Sequence, residues 1–306
     1  MSKSDFCSLI LPQRVRTRLQ DNGIDNDDDL QVAGQSFAVE AAMVLKRQRE
    51  IPAFKFITAL ERISQAENTQ RIATWVPSID AMLDGGLPRS KIIEVAGAAG
   101  TGKTQFCMQV TASNQLLQKS TVYIDSKGGF TMGRYREILD GVSKKRECAG
   151  PCSERVQYKL CDSWEQLVSL LCLLPEELRS GSGKDEVTLV VLDCFDFHLR
   201  NQLQDPRVRK KVVSNLTQKL VDVARSGPAV LVTNHLSMRS SYSDPTTLVI
   251  APALGQAFGH ECAYRAVFTE EDDLYKATFY KAPTFGRTVV PFRIQRDGIV
   301  EETDGF

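Results

Sequence analysis

The sequence lacks an excess of either charge. Lys and Arg total 38, and so do Asp and Glu. With no global basic field, contact with nucleic acid would have to come from local patches. Long hydrophobic runs are missing as well. The most apolar stretch, Leu167 to Leu174, is too short to span a bilayer and is interrupted by Ser169. The opening MSKSDFCSLILPQR carries no apolar segment of the secretory kind. These absences predict a soluble intracellular protein with no membrane partner. Metal-ligand spacing is scarce too. Of eight cysteines only Cys148 and Cys152 lie close together, as C-x₃-C, and no second pair or His pair completes a zinc set. Reduced thiols in apolar surroundings are the expectation.

A length of 306 residues accommodates one large domain, or one domain with a small appendage, and a sizeable core. Residues 11–50 read as helices. Leu11, Val15 and Leu19 make one stripe, Asn22-Gly23 breaks it, and the acidic run to Asp29 suits a following first turn. FAVEAAMVLKRQRE is a second helix former, ended by Pro52. From Lys91 the pattern changes. KIIEVAG, STVYIDS, RVQYKL, TLVVLDCF and AVLVTNH read as strands, with helices between them. Ser163 and Gln166 have the spacing of a capping box for the helix SWEQLVSLLCLL. Apolar strands alternating with helices predict a parallel sheet covered on both faces. YRAVFTE, LYKATFYKA and TVVPFRIQRDGIV then predict an antiparallel extension at the sheet edge. KKRECAGPCSE and RSGSGKDE read as surface loops. The predicted organisation is a helical module at 1–52, a linker at 53–65 and an α/β core at 66–306.

The strongest motif is Gly97-Ala98-Ala99-Gly100-Thr101-Gly102-Lys103-Thr104, a full G-x₄-G-K-T between a strand and a helix. Glycines at that spacing let backbone N–H groups close around a β-phosphate, and the helix N-terminus adds positive potential. Lys103 is predicted to reach the β/γ-phosphates and Thr104 to ligate Mg²⁺. Asp193, ending the apolar run TLVVLD, is placed to complete the magnesium shell. ATP and Mg²⁺ are therefore the expected cofactors.

With these motifs in place, the sequence resembles the RecA/Rad-type recombinases. VPSIDAMLDGGLPRSKIIEVAGAAGTGKTQFCMQ looks like the opening of their core. TVYIDSKGGFTMGR, LVVLDC, AVLVTNH and APALGQAFGHECAYR follow in the family's order. The resemblance implies a RecA-like P-loop ATPase core, mostly parallel with antiparallel edge strands, behind a small helical domain. TALE at 58–61, KTQFCMQ and FYKAP are similar to the eukaryotic C-type paralogue, which is the favoured match, whereas IDSKGG and VTNH are similar to the D-type. Phe56 and Ala59 form an F-x-x-A tetrapeptide spaced like the family's protomer-docking motif. The plainer alternative is a hydrophobic turn in which Phe56 packs its own protomer. Two positions depart from the family pattern. Lys127 stands where active members carry the Glu that positions or deprotonates water, and an ammonium cannot take that proton at neutral pH. Lys127 can instead help neutralise nucleotide phosphates. His235 stands where the family couples the γ-phosphate to a DNA loop through Gln.

Further candidates follow from the same resemblance. Arg134 matches an arginine that stacks on adenine, or else is an ordinary solvated helix arginine. The family's first DNA loop falls at residues 196–211, where Arg200, Arg207, Arg209, Lys210 and Lys211 outnumber Asp196 and Asp205. The alternative there is a solvated helix face. In the second loop, SMRSSYSDPTTLVI, Arg239 offers charge and Tyr242 a ring. The implied function is a nuclear, ATP- and DNA-binding paralogue in homologous recombination and double-strand break repair. It would meet single-stranded or junction DNA and assist the main recombinase within a hetero-oligomer, with weak hydrolysis because of Lys127. The rival readings are a nucleotide-dependent scaffold without hydrolysis and a P-loop small-molecule kinase.

Overall fold

The computed structural model describes residues 17, 58, 71–146, 155–180, 186–240, 248–272, 274–284 and 286–302. The chain divides into two compact units, Met1–Ala66 and Glu67–Phe306. The predicted helices before residue 52, the Phe56 and Ala59 motif, the Cys148 and Cys152 pair and Tyr242 lie outside the described residues.

The second unit is built on strands β1 (Ile92–Gly97), β2 (Ser120–Asp125), β3 (Val156–Leu160), β4 (Val187–Asp193) and β5 (Ala229–Asn234). They join β8 (Cys262–Glu271), β9 (Leu274–Lys281), β10 (Thr288–Gln295) and β11 (Gly298–Glu301) in one sheet. Its order is β11-β10-β9-β8-β1-β5-β4-β2-β3. The run from β8 to β3 is parallel, and β9, β10 and β11 are antiparallel. This is the expected mostly parallel sheet with antiparallel edge strands. One detail differs: YRAVFTE, expected within the antiparallel extension, lies on β8, which runs parallel to β1 and antiparallel to β9. The helix Gly255–Glu261 before it supplies the crossover that a parallel partner requires.

Strand alternation separates two cores, as expected of a sheet covered on both sides. Ile93, Val95, Leu189, Val191 and Leu231 pack with Phe106, Phe268 and Phe292 on one face. Ile92, Val190, Leu192, Val230 and Val232 pack with Leu167, Leu220 and Phe258 on the other. The helices are α1 (Pro77–Met82), α2 (Lys103–Leu116), α3 (Met132–Arg146), α4 (Trp164–Ser180), α5 (Asp196–Gln202), α6 (Pro206–Arg225) and α7 (Gly255–Glu261). Helix α2 is buried almost all round because α3 covers the side turned away from the sheet. Its Gln109 spans Thr74 O and the Ile299 backbone, stitching both ends of the unit together. Ser163 accepts from Gln166 N at 3.3 Å, half of the expected capping box. Gln166 Oε1 reaches Asp162 N at 3.1 Å rather than Ser163 N. Helix α4 passes through Pro175, where the sequence pattern had suggested a stop. Leu174 and Pro175 are buried and Leu178 reaches the same core, so tertiary packing offsets the missing backbone bond.

The expected second loop also differs. Leu236–Ser240 and Leu248–Pro252 pair as a separate antiparallel hairpin, β6 and β7, with Arg239 opposite Val249. Alternating apolar residues such as Leu236 and Met238 outweigh the Ser, Asp and Pro composition between them.

Candidate nucleotide site

The loop from Gly97 to Gly102 joins β1 to the N-terminus of α2. Gly102 has φ +84°, and a Cβ there would sit 2.6 Å from Ile294 Cδ1. A Cβ on Gly97 would meet Phe268 O at 2.6 Å. Both positions therefore require glycine. Lys103 is nearly buried, and its Nζ donates to Gly97 O at 2.9 Å and Ala98 O at 2.5 Å. Burial lowers its pKa and Lys127 lowers it further, against the opposing Cys194, Asp193 and Asp196 side chains. An ammonium held this way gains most from an arriving anion.

Thr104 Oγ1 donates to Asp193 Oδ2 at 2.7 Å, bringing together the two predicted metal ligands. Thr233 Oγ1 fixes the other carboxylate oxygen at 2.5 Å, and Tyr123 OH reaches Oδ2 at 3.1 Å. A hydroxyl, a carboxylate, an ammonium and a helix N-terminus are the donor set that a magnesium nucleotide needs. Lys103, Thr104 and Asp193 line a cavity of about 660 Å³, together with Lys127, Arg134 and His235. Four cationic side chains line it against the single carboxylate of Asp193. Arg134 sits at its rim, held by Gln105 Oε1 at 2.6 Å, Gln295 O at 2.6 Å and Arg296 O at 2.7 Å. Its guanidinium is thus fixed between α2, α3 and the end of β10, unlike a freely solvated helix arginine. Tyr275 and Gln295, from β9 and β10, complete the rim. Sequence reasoning missed both, since no local motif marks them.

The two departures from the family pattern meet in this cavity. Lys127 Nζ lies 3.2 Å from His235 Nε2. Asp125 sets the turn that carries Lys127, accepting from Lys127 N and Gly128 N, each at 2.9 Å, and from Phe130 N at 2.9 Å. On the other side of the imidazole, His235 Nδ1 lies 2.8 Å from Asp196 Oδ1, and the His235 backbone N–H donates to the same oxygen at 3.2 Å. Asp196 is buried. Burial alone would raise its pKa, but the His235 and Cys194 hydrogen bonds outweigh that and hold the carboxyl below its usual range. Burial pushes the Cys194 thiol well up, so it stays protonated and donates to Asp196 at 2.8 Å. Cys194, Asp196 and His235 are the one group of gathered metal-type ligands among the described residues, and they satisfy one another by hydrogen bonds. The described cysteines are all free thiols, and only Cys172 is exposed.

The residues predicted to meet DNA lie on α5 and α6. Arg200, Arg207, Lys210 and Lys211 are exposed, and Arg200 is also paired with Asp196 Oδ2 at 3.4 Å. Asp205 caps α6 by accepting from Arg207 N at 2.7 Å. Asp196, though buried, thus offsets the charge of Arg200. Arg200, Arg209 and Lys210 border a second cavity of about 890 Å³, closed by α7 and by Ser237 and Met238 of β6.

The Rad51 family model matches residues 65–302. DNA repair protein RAD51 homolog 3 of Cricetulus griseus is 29% identical over 269 residues, which cover 80% of this chain and 72% of the relative. DNA repair protein RAD51 homolog 4 of Bos taurus is 27% identical over 266 residues, covering 83% of this chain and 78% of the relative. DNA repair and recombination protein RadA of Metallosphaera sedula is 28% identical over 246 residues, covering 76% and 73%. Similarity to both homolog 3 and homolog 4 matches the mixture of C-type and D-type motifs in the sequence. A family match that runs through both the phosphate loop and the last strands makes this chain a member of the Rad51 family, a paralogue of the RecA/Rad recombinases.

Proposed function

We propose that this protein binds ATP with Mg²⁺, contacts DNA, and acts in homologous recombination and double-strand break repair in the nucleus. It would do so beside the main recombinase in a hetero-oligomer. The observation that carries the reading is the convergence of Lys103, Thr104 and Asp193 on one cavity in a chain of this family. Lys103 and the α2 N-terminus would hold the phosphates, and Thr104 and Asp193 the metal, whose bound charge would neutralise the triphosphate. No general base for water stands at Lys127, which favours ATP holding over turnover. A second reading, a nucleotide-dependent scaffold without hydrolysis, rests on that same residue. We expect tight MgATP binding, slow turnover, and little stimulation by single-stranded DNA. Turnover at the rate of an active recombinase would overturn the assignment of Lys127, and phosphorylation of a small molecule would point to a kinase.

The basic border of the second cavity supports DNA binding through residues 196–211. Neutralising Arg207, Arg209 and Lys210 together should weaken binding to all sequences alike. The slope of log affinity against log salt should flatten by up to about 0.7 for each phosphate that is no longer neutralised on a single strand. Fluorescence anisotropy across a salt series measures this, and an unchanged slope would leave these charges as a solvated helix face. For partner docking we propose Phe56 and Ala59 as the element that enters a neighbour. Among the described residues the outer edge of β3 has no strand partner, and with Tyr158 and Leu160 exposed it is a surface to which an extended peptide can add. Among the described residues no helix is long and apolar enough to cross a membrane.

A further inference from the structure

Lys127 and Lys103 both line the nucleotide cavity but are held in different ways. Lys103 folds back onto the loop carbonyls of Gly97 and Ala98, at the phosphate-loop end of the cavity. Lys127 approaches from the β2 side, and the one hydrogen bond of its ammonium among the described residues is to His235 Nε2. That ammonium also lies 5.4 Å from the Phe197 ring centre. An ammonium has three N–H donors, and His235 takes one.

The pairing also fixes the chemistry of the imidazole. A nitrogen facing an ammonium must offer its lone pair, and a nitrogen facing a carboxylate must carry the proton. His235 therefore accepts at Nε2 and donates from Nδ1 to Asp196. Asp196 is buried and held from three directions, by His235, by the Cys194 thiol and by Arg200. It is thus a rigid anchor. Such a chain orients a flexible lysine without neutralising it, since the partner of Lys127 is an uncharged ring. A lysine that only stabilised the fold would be expected to meet a carboxylate directly. Asp125, near enough to accept from the Lys127 backbone, spends both oxygens on the turn and on Tyr158 instead.

We propose that Lys127, aimed by His235 and Asp196, is a second phosphate-binding cation that makes this cavity select a nucleoside triphosphate over a diphosphate. The inference rests on the nucleotide reading above and adds to it a residue that meets only the terminal phosphate. Lys127 is the specificity-determining group; His235 and Asp196 are positioning residues. The site then retains ATP for the same reason that it hydrolyses it poorly: the position of the base is occupied by a cation bound to the γ-phosphate.

The test measures affinity for ATPγS and for ADP, each with Mg²⁺, by titration calorimetry on the full chain. Lys127→Met keeps length and apolar bulk while removing charge. It should lower the ratio of ATPγS to ADP affinity by about tenfold or more, the effect typical of removing a charge-assisted hydrogen bond. His235→Leu should lower the ratio by a smaller factor, and His235→Gln, which can still accept from the ammonium, should restore part of it. A thermal melt accompanies each variant, because a purely structural role would move the melt and leave the ratio alone. A ratio unchanged or raised in Lys127→Met overturns the inference while the nucleotide reading stands. Wild-type protein that binds neither nucleotide overturns both.

Discussion

Lys103→Ala should abolish measurable nucleotide binding and leave the fold nearly as stable as before. The ammonium is nearly buried, and its pKa is lowered first by that burial. Among the described residues it is compensated by two loop carbonyls, by the Thr101 hydroxyl at 3.5 Å and by more distant carboxylates. A phosphate therefore meets a cation that has already shed its water, and the resulting charge-assisted bonds are strong. Removing the side chain costs the fold three hydrogen bonds, the weakest at 3.5 Å to Thr101 Oγ1, but Lys103 itself lines an open cavity, so its loss lets water in to the freed acceptors. The expected change in stability is about 1–2 kcal/mol or less. Two measurements separate the effects. Titration with MgATP should show at least about a hundredfold drop in affinity, consistent with the removal of two or more charge-assisted bonds. In thermal melts, wild type should gain about 2.7 kcal/mol at a hundredfold excess of ligand over Kd, and the variant nothing. A variant that still melts higher with MgATP would show that the phosphates bind elsewhere, the second cavity being the next candidate.

The phosphate loop was legible because its chemistry is local. Glycines, lysine and threonine within eight residues specify the conformation of the loop and the helix that follows, and no distant residue is needed to recognise them. Asp193 was legible for a similar reason, as the polar end of an apolar strand. Lys127 and His235 each stood out as departures, but their pairing did not. It depends on β2, β4 and β5 lying side by side, a consequence of sheet order rather than of either segment. Asp196 was misjudged for the opposite reason. It sits among basic residues in sequence and so counted as surface charge, yet the first turn of α5 points it inward, beneath His235. A seven-residue helix offers too few turns for periodicity to reveal its buried face. Tyr275 and Gln295 were invisible because a cavity rim built from antiparallel strands has no spacing rule of its own. The β6–β7 hairpin was hidden by a polar connecting segment, and the continuation of α4 by a proline whose cost is offset only by packing.

The largest effect on stability is expected at a residue that touches no ligand. Glu94 lies in the middle of β1, buried on all sides, three residues before the phosphate loop. Its carboxylate takes Arg265 Nε of β8, Asn234 Nδ2 of β5 at 2.7 Å and, at 3.5 Å, Tyr280 OH of β9. The Arg265 guanidinium in turn lies 4.9 Å over the Tyr280 ring. One carboxylate thus ties the strand carrying the loop to the strand that ends just before His235 and to the strand that begins the antiparallel edge. Glu94→Ala would leave a buried guanidinium without its counter-charge and an amide without its acceptor. Breaking a buried pair from one side costs about 3–5 kcal/mol. For a unit of this size that is a fall in Tm of roughly 6–20 °C, at about 2–4 °C per kcal/mol. Replacing both partners should cost less than replacing one, because the double variant Glu94→Leu with Arg265→Met strands no charge. Denaturant melts of the two single variants and the double variant decide the matter. If the double variant is destabilised by as much as the sum of the singles, the pair is not coupled and the network only fills space. A coupled pair should also carry its effect to the cavity, since Asn234 is released beside His235. Glu94→Gln, whose side-chain oxygen can still accept the hydrogen bond from Asn234 Nδ2 while the charge is dropped, should then bind MgATP more like wild type than Glu94→Ala does.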